Sequence, residues 1–495
     1  MKSYHSTRNK NLIASFHEAV LNGIAPDGGL YVKDDIHDSK INLNEMIHYT
    51  YQQTAEKVLS IMMDDFTDEQ IKECITNAYG SQWSDKKIAP VVKAGHVNIL
   101  ELFHGPTCAF KDIALQMLPQ MMSQSLKMEP DHKDILILTA TSGDTGKAAL
   151  EGFKDVDGLS ICVFYPDGLV SQVQKQQMVS TTGNNTKVVA LKGNFDDAQR
   201  TVKVSFADSE LNETASSHNI QFSSANSINI GRLCPQIVYY FDSYLQMVRN
   251  HEIELGDEIN FVVPTGNFGN ILAGYYAKKM GLPVHKLICA SNHNNVLNDF
   301  FTTGTYDRNR ALKKTISPSM DILVSSNLER LLYEFSDSDE MTAQWMKALN
   351  EKGIYQIDQN TLSKMQNIFY SGYSNDEDCA RWIKEVYEKD HYVMDPHTAC
   401  GYKVLQDYIN KTHDKHKCIL LSTASPFKFC KDVLSAITDE VPEDEWQCMN
   451  ELEKVSGQNA PIQLQLKDAP ILHDTLLELN EVKSMLNKMI SKEAL

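Results

Sequence analysis

The chain has no CxxC pair and no close group among its ten cysteines, which are scattered from position 74 to position 448. That distribution fits a reducing compartment better than a disulfide framework. It has no run of 18 apolar residues, so no segment reads as a membrane-spanning helix. It has no excess of basic residues: the net charge of -18 argues against nucleic acid or an anionic membrane surface as the main partner. Internal repeats and low-complexity tracts are missing as well. The polar segment Met1–Lys10 lacks the apolar core of a signal peptide, which makes the cytosol the expected location. What remains is a 495-residue chain, 42% hydrophobic and 23% charged, long enough for two or three domains with a sizeable core.

Apolar spacing at Leu12, Phe16, Ala19 and Val20 predicts an amphipathic helix over 11–22 that stops at Gly23, followed by a tight turn into a short strand ending near Val32. Residues 42–82 read as helical, with Met46, Tyr49, Val58, Ile61 and Met62 as an apolar stripe. From Asp134 the pattern alternates. Apolar runs at 135–140, 159–165 and 187–191 are separated by helical stretches at 147–153 and 170–180, and a further helix runs from Phe195 to Ala207. A second unit repeats it: strand 259–263, loop 264–270, helix 271–280, strand 284–290. Such alternation implies doubly wound parallel sheets. Cys418–Ala424 reads as one more core strand, and Ile471, Leu476, Leu477, Leu479, Val482, Met485 and Leu486 as a C-terminal amphipathic helix. The expected division is an N-terminal helical region (1–95), an α/β region (96–435) with a smaller α/β lobe nested at about 130–225, and a C-terminal helical segment (436–495).

Three stretches carry the chemistry. In Leu100–Asp112 a turn with Gly105 and Pro106 leads to Lys111, set among apolar residues, where an amine can lose hydration and become a nucleophile toward a carbonyl. Thr141–Gly146 lies between a buried strand and a helix, a natural seat for a carboxylate or phosphate. It is not a nucleotide-binding P-loop, because only two residues separate Gly143 from Gly146 and Ala148 stands where Ser or Thr is required. Gly266–Asn270 has the same placement, with two glycines for close backbone approach and two asparagine amides as uncharged donors. It lacks the GxGxxG dinucleotide fingerprint. Two anion seats and a nucleophilic lysine suit a phosphorylated aldehyde cofactor and a carboxylated amine substrate.

These stretches, together with Ser6–Arg8, Gly23–Val32, Gly193–Gln199, Asn226–Arg232, Asp395–Ala399 and Ser422–Lys428, are similar to the threonine synthases of the longer class found in bacteria and fungi. The resemblance covers nearly the whole chain. It implies the fold type II architecture of pyridoxal-phosphate enzymes, related to the tryptophan synthase β-subunit. The implied cofactor is pyridoxal 5'-phosphate, held covalently by Lys111, which then moves protons at substrate Cα and Cβ. Gly266, Asn267, Phe268, Gly269 and Asn270 are implied to hold the cofactor phosphate, and Thr423 to bond the pyridine nitrogen. Ser142, Asp144 and Thr145 match positions near the substrate carboxylate and the cofactor's phenolic oxygen. Lys147 and Arg232 are the expected donors to the substrate phosphate. The implied reaction is O-phospho-L-homoserine plus water giving L-threonine plus phosphate, by β,γ-elimination and hydration, in a monomer or small homo-oligomer.

The chain departs from the family at Ser425, where histidine is usual, and at Phe427, where alanine is usual; Thr423, Lys428 and Phe429 are kept. The first departure is expected to shape the loop rather than alter the chemistry. A phospho-lyase giving 2-oxobutanoate, ammonia and phosphate is the nearest competing reading. A non-catalytic homologue would be expected to lose Lys111 or the phosphate loop, and a serine/threonine dehydratase lacks the context around Lys111. His413 and His416, with Asp414 between them, read as a solvated charged turn before a strand rather than a metal site. Cys108 reads as a small apolar filler.

Overall fold

The computed structural model describes residues 2–141 and 143–491. Two parallel sheets form its frame. The larger has six strands in the order Phe369–Tyr373, Val284–Ser291, Ile259–Pro264, Cys418–Ser422, Val97–Glu101 and Val91–Ala94, all parallel except the last, antiparallel pair. The smaller has five parallel strands in the order Leu476–Leu477, Thr186–Leu191, Leu159–Pro166, Asp134–Ala140 and Ile220–Ser223. Strands such as Ile259–Pro264 are buried along their whole length because helices cover both faces, and this is why they appear in the sequence as unbroken apolar runs. The expected α/β class with two doubly wound lobes is the observed one.

The helix Ile230–Arg249, nearly all of it buried, runs through the middle of the molecule and packs against Lys111–Met128, Tyr51–Met62 and Gly269–Lys279. The N-terminal region contributes the helices Tyr51–Met62 and Asp68–Ala78, each opened by a threonine capping box. It also holds something the periodicity did not give. Residues 9–14 are a strand, not the first turns of a helix, and with Tyr4–Ser6 and Tyr31–Lys33 they form a three-stranded antiparallel sheet. The helix begins only at Phe16, because Ser15 caps it and pairs reciprocally with Glu18.

The C-terminal expectation needs correction in the same way. The helix spans only Val482–Ile490; Leu476–Leu477 is an edge strand of the smaller sheet, Leu479–Glu481 is a short 3₁₀ turn and Ile471 is exposed. The backbone groups of Thr186–Leu191 need partners on their open side, and residues 475–477 supply them: Ala190 N–H donates to Thr475 O (2.9 Å) and Lys192 N–H to Leu477 O (3.0 Å). The segment after 436 is therefore helical at Glu445–Ser456 and Val482–Ile490 and extended or turn-like between them.

Candidate active site

A cavity of about 230 Å³ lies between the two sheets at the carboxyl ends of their strands. Thr139 and Ala140 end one strand, Pro264 ends another, and Thr423 follows a third. Open α/β sheets place ligands at such ends.

Lys111 is the first residue of the helix Lys111–Met128. The turn before it is stitched to the loop holding Thr423: Phe110 N–H donates to Thr423 O (2.8 Å), Ser425 N–H donates to Cys108 O (3.0 Å), and Ala109 bridges Ala424. Thr107 locks the other side, its hydroxyl and N–H both donating to the buried carboxylate of Asp112 (2.6 and 2.8 Å). Burial pushes the Cys108 thiol up to about 12, so it stays protonated and unreactive.

The Lys111 side chain is only 11% exposed. Burial lowers its pKa below the ordinary lysine value, and the partial attraction of Asp144, 3.7 Å away, does not restore it. The Lys111 Nζ donates to Ser319 Oγ at 3.2 Å. Ser319 is fixed in turn: its N–H donates to His397 Nε2 (3.2 Å), while His397 Nδ1 faces Asp395 Oδ1 (2.8 Å), which assigns the ring proton to Nδ1. Asp395 also caps the helix Pro396–Thr412.

Asp144 sits under the lysine without lining the cavity. Burial alone would raise its pKa, but Lys428 at 2.9 Å, Lys111 and a bond from Gln174 Nε2 (2.9 Å) overrule it and hold the carboxylate well below its usual range.

The loop Gly266–Asn270 opens the helix Gly269–Lys279, with Phe268 in the left-handed region (φ 66°). Its carbonyls are tied away from the cavity. Ser325 Oγ donates to Gly266 O (2.7 Å), and Asn327 donates to Asn267 O through its N–H (3.0 Å) and its amide (3.1 Å). The fully buried Arg330 holds Asn327 Oδ1 in place. A side chain at Gly266 would sit 2.9 Å from the Ser319 carbonyl, so glycine keeps the two walls close. Asn270 accepts from the hydroxyls of Tyr239 (2.6 Å) and Tyr240 (2.9 Å) through Oδ1, which fixes its amide; Nδ2 has no partner among the described residues.

Arg232 is the second orphan. It is 4% exposed, Nη1 donates to Ala225 O (2.9 Å), Nε is unpartnered, and no carboxylate pairs with it among the described residues. Burial lowers its pKa to about 10, which leaves it charged at neutral pH. Two residues that each carry an unsatisfied donor, Asn270 and Arg232, line one cavity with Lys111. Each would be costly to leave unpaired, so the residues fit an anionic cofactor and an anionic substrate.

Of the residues singled out in the sequence, Lys111, Thr145, Arg232, Gly266, Asn267, Phe268, Gly269, Asn270 and Thr423 all line the cavity. Ser142 lies outside the described residues. Lys147 is not brought there: its Nζ donates to Glu151 Oε1 (2.5 Å) and Thr181 Oγ1 (2.9 Å) on the far side of its helix. The loop Thr141–Gly146 also offers fewer free N–H groups than its glycines suggest, because Thr141 Oγ1 accepts from Gly143 N–H (3.0 Å) and Gly146 N–H (2.9 Å). Ser425 caps the turn Pro426–Phe429 and does not line the cavity. Sequence reasoning named no role for Ser319, His397, Gln174 or Lys428. Of these, Lys428 carried a signal as a lysine inside the apolar run Pro426-Phe-Lys-Phe-Cys430, and His397 lay in the family-like stretch Asp395–Ala399.

A buried lysine amine, a helix-headed glycine loop and a parallel-sheet cleft define a pyridoxal-phosphate-dependent enzyme, and the family model for pyridoxal-phosphate-dependent enzymes matches residues 93–423. Flanking it, the models for the threonine synthase N terminus and C-terminal domain match residues 3–79 and 398–465. The chain belongs to the threonine synthase family. It is 37% identical to the threonine synthase of Saccharomyces cerevisiae over 88% of this chain and 89% of that one. It is 38% identical to human threonine synthase-like 1 over 94% of its own length, but spans only 62% of that longer protein. The crystal structure of pyridoxal-phosphate-bound threonine synthase from Brucella melitensis superposes with a TM-score of 0.85 at 34% identity, covering 99% of both chains.

Proposed function

We propose that the protein converts O-phospho-L-homoserine and water to L-threonine and inorganic phosphate, the last step of threonine biosynthesis, in the cytoplasm and as a monomer or small homo-oligomer. The observation that carries the reading is Arg232. The glycine loop gives the cofactor phosphate one seat, and a buried guanidinium without a carboxylate partner among the described residues gives a second anion, the substrate's own phosphate, another.

Bound in the cavity, pyridoxal phosphate supplies the electron sink that makes Cα–H and Cβ–H bonds of the substrate ionisable. Lys111 takes and returns those protons, and burial, by lowering its pKa from the ordinary lysine value, eases their exchange. Gly266 to Asn270 anchor the cofactor phosphate, and Thr423 offers a neutral hydroxyl to the ring nitrogen. Ser142 and Thr145 receive the substrate carboxylate and the phenolic oxygen, over an Asp144 carboxylate kept charged by Lys428. Arg232 balances the phosphate as it leaves from Cγ, with Asn226 and Ser227 beside it. Lys147, tied to Glu151, plays no part in this scheme.

One other reading shares the lysine and both loops, the phospho-lyase that gives 2-oxobutanoate, ammonia and phosphate. Incubating the cofactor-loaded protein with O-phosphohomoserine tests both. Threonine formation by the wild type and its loss in Lys111→Ala support the synthase; phosphate with 2-oxobutanoate and no threonine overturns it.

A further inference from the structure

At the other pole of the large sheet, three neighbouring strands begin beside one another: Ile259–Pro264, with Val284–Ser291 on one side and Cys418–Ser422 on the other. Glu258 precedes the first, His285 is the second residue of its neighbour, and His416 stands two residues before the third. In sequence these residues are 27 and 131 positions apart. Folding brings one ligand atom from each within 4.8 Å of the others.

The pair of imidazoles is arranged with care. Their rings stack at 4.0 Å between centroids, inclined by 15°. Asp414 stands on one side of both rings, with Oδ1 accepting from His416 Nδ1 (2.5 Å) and Oδ2 lying 3.8 Å from His285 Nε2. Asp414 is itself anchored, accepting from Tyr408 Oη (2.5 Å), Asn260 Nδ2 (2.8 Å) and the His416 N–H (3.0 Å). Its bond to Nδ1 puts the His416 proton on that atom and leaves Nε2 with its lone pair. A carboxylate bonded to the far nitrogen of an imidazole is the usual partner of a metal-ligating histidine. His285 Nδ1 faces Glu258 Oε2 at 3.7 Å, too far for a hydrogen bond. Two lysines flank the cluster: Lys278, which feels the Glu258 charge, donates its ammonium to Val284 O (2.5 Å), and Lys286 donates to the carbonyls of Gln366 (3.2 Å) and Asn367 (2.7 Å).

We propose that Glu258, His285 and His416 form a binding site for a divalent transition-metal ion of the zinc class, oriented from behind by Asp414. Two imidazole nitrogens and one carboxylate oxygen with an open fourth position are a donor set that zinc accepts, and one that magnesium and calcium, which prefer all-oxygen shells, do not. Zinc ligands about 2.1 Å from the ion lie roughly 3.4 Å from one another, so the side chains must draw together by on the order of 1 Å and the stacked rings must turn so that their in-plane lone pairs converge on one ion. The side chains of Glu258 and His285 are 52% and 32% exposed and that of His416 38%, which leaves them free to rotate. The site is separated from the cofactor cavity by the length of the strands themselves, roughly 20 Å. It therefore takes no part in the chemistry there. The turn at His413–His416 thus acts as a ligand loop through His416 alone, and its other partners come from distant strands.

The test is calorimetric titration of zinc into the cofactor-loaded protein. Saturable binding of one ion is expected, lost in both His285→Ala and His416→Ala and weakened about 10–100-fold in Asp414→Asn, with no binding of magnesium. The histidine variants should keep the visible cofactor absorbance and the wild-type turnover, which shows that they fold. No saturable zinc binding in the wild type, or undiminished binding in either histidine variant, overturns the proposal.

Discussion

Lys428 donates to Asp144 across 2.9 Å, and the two side chains are 0% and 6% exposed. One carboxylate thus lies between two lysines, the second being Lys111, and joins the smaller lobe to the loop that follows the strand Cys418–Ser422. Removing Lys428 leaves a buried carboxylate with the neutral Gln174 amide (2.9 Å) and a single, more distant charged partner, Lys111 (3.7 Å). Lys428→Met should lower stability by about 3–5 kcal/mol. Lys428 also helps depress the Lys111 amine, so the same variant should move the pH titration of the cofactor absorbance to higher pH. Denaturant unfolding and a spectral pH titration check the two effects separately.

Arg232→Met removes the charge assigned to the substrate phosphate. A hydrogen bond to a charged group is worth about 1.5–3 kcal/mol, so kcat/KM for O-phosphohomoserine should fall on the order of 100-fold. Cofactor absorbance should persist. Equal loss of cofactor binding would place Arg232 at the cofactor phosphate instead, and steady-state kinetics with a cofactor titration distinguishes the cases.

Tyr239 and Tyr240 never touch the solvent, yet their hydroxyls both donate to Oδ1 and so fix the amide of Asn270, a residue that lines the cavity. In Tyr239→Phe the amide loses its closer anchor. Cofactor affinity, read from fluorescence quenching, should weaken by about 1 kcal/mol, roughly fivefold. An unchanged affinity would mean that Tyr240 alone holds the amide.

Much of this site could be read before folding. The glycine loops and Lys111 stand at the ends of apolar runs, where period and turn residues are local signals. The partners of Lys111 could not be read so, because Ser319, His397 and Lys428 reach it from 208, 286 and 317 residues away, as the differences from position 111 give. Only the folded chain sets Ser319 Oγ 3.2 Å from the amine. The edge strand Leu476–Leu477 failed for a related reason. Two residues carry no period, and their conformation is dictated by the open backbone of Thr186–Leu191. At 9–14 the apolar Leu12 and Phe16 fall at helical spacing, but pairing with Tyr4–Ser6 makes the first of them part of a strand.

Asp112 gives a pH signature. Burial pushes its carboxyl up to about 6, against the two bonds from Thr107 that favour the charged form. A carboxyl whose folded pKa is raised holds its proton longer when folded than when unfolded. Its contribution to stability is therefore present at low pH and is lost as pH rises from about 4 through 6. Asp112→Asn removes that dependence. The stability difference between wild type and variant should change by roughly 3 kcal/mol across this window, with the wild type losing ground as pH rises. Parallel unfolding curves at pH 4 and pH 7 provide the check.

The central claim is settled most directly by counting products. Cofactor-loaded protein given O-phosphohomoserine should release phosphate and threonine in equal amounts, with no 2-oxobutanoate. Phosphate released with an equal amount of 2-oxobutanoate, or no phosphate release at all from a protein showing the full cofactor absorbance, would contradict it.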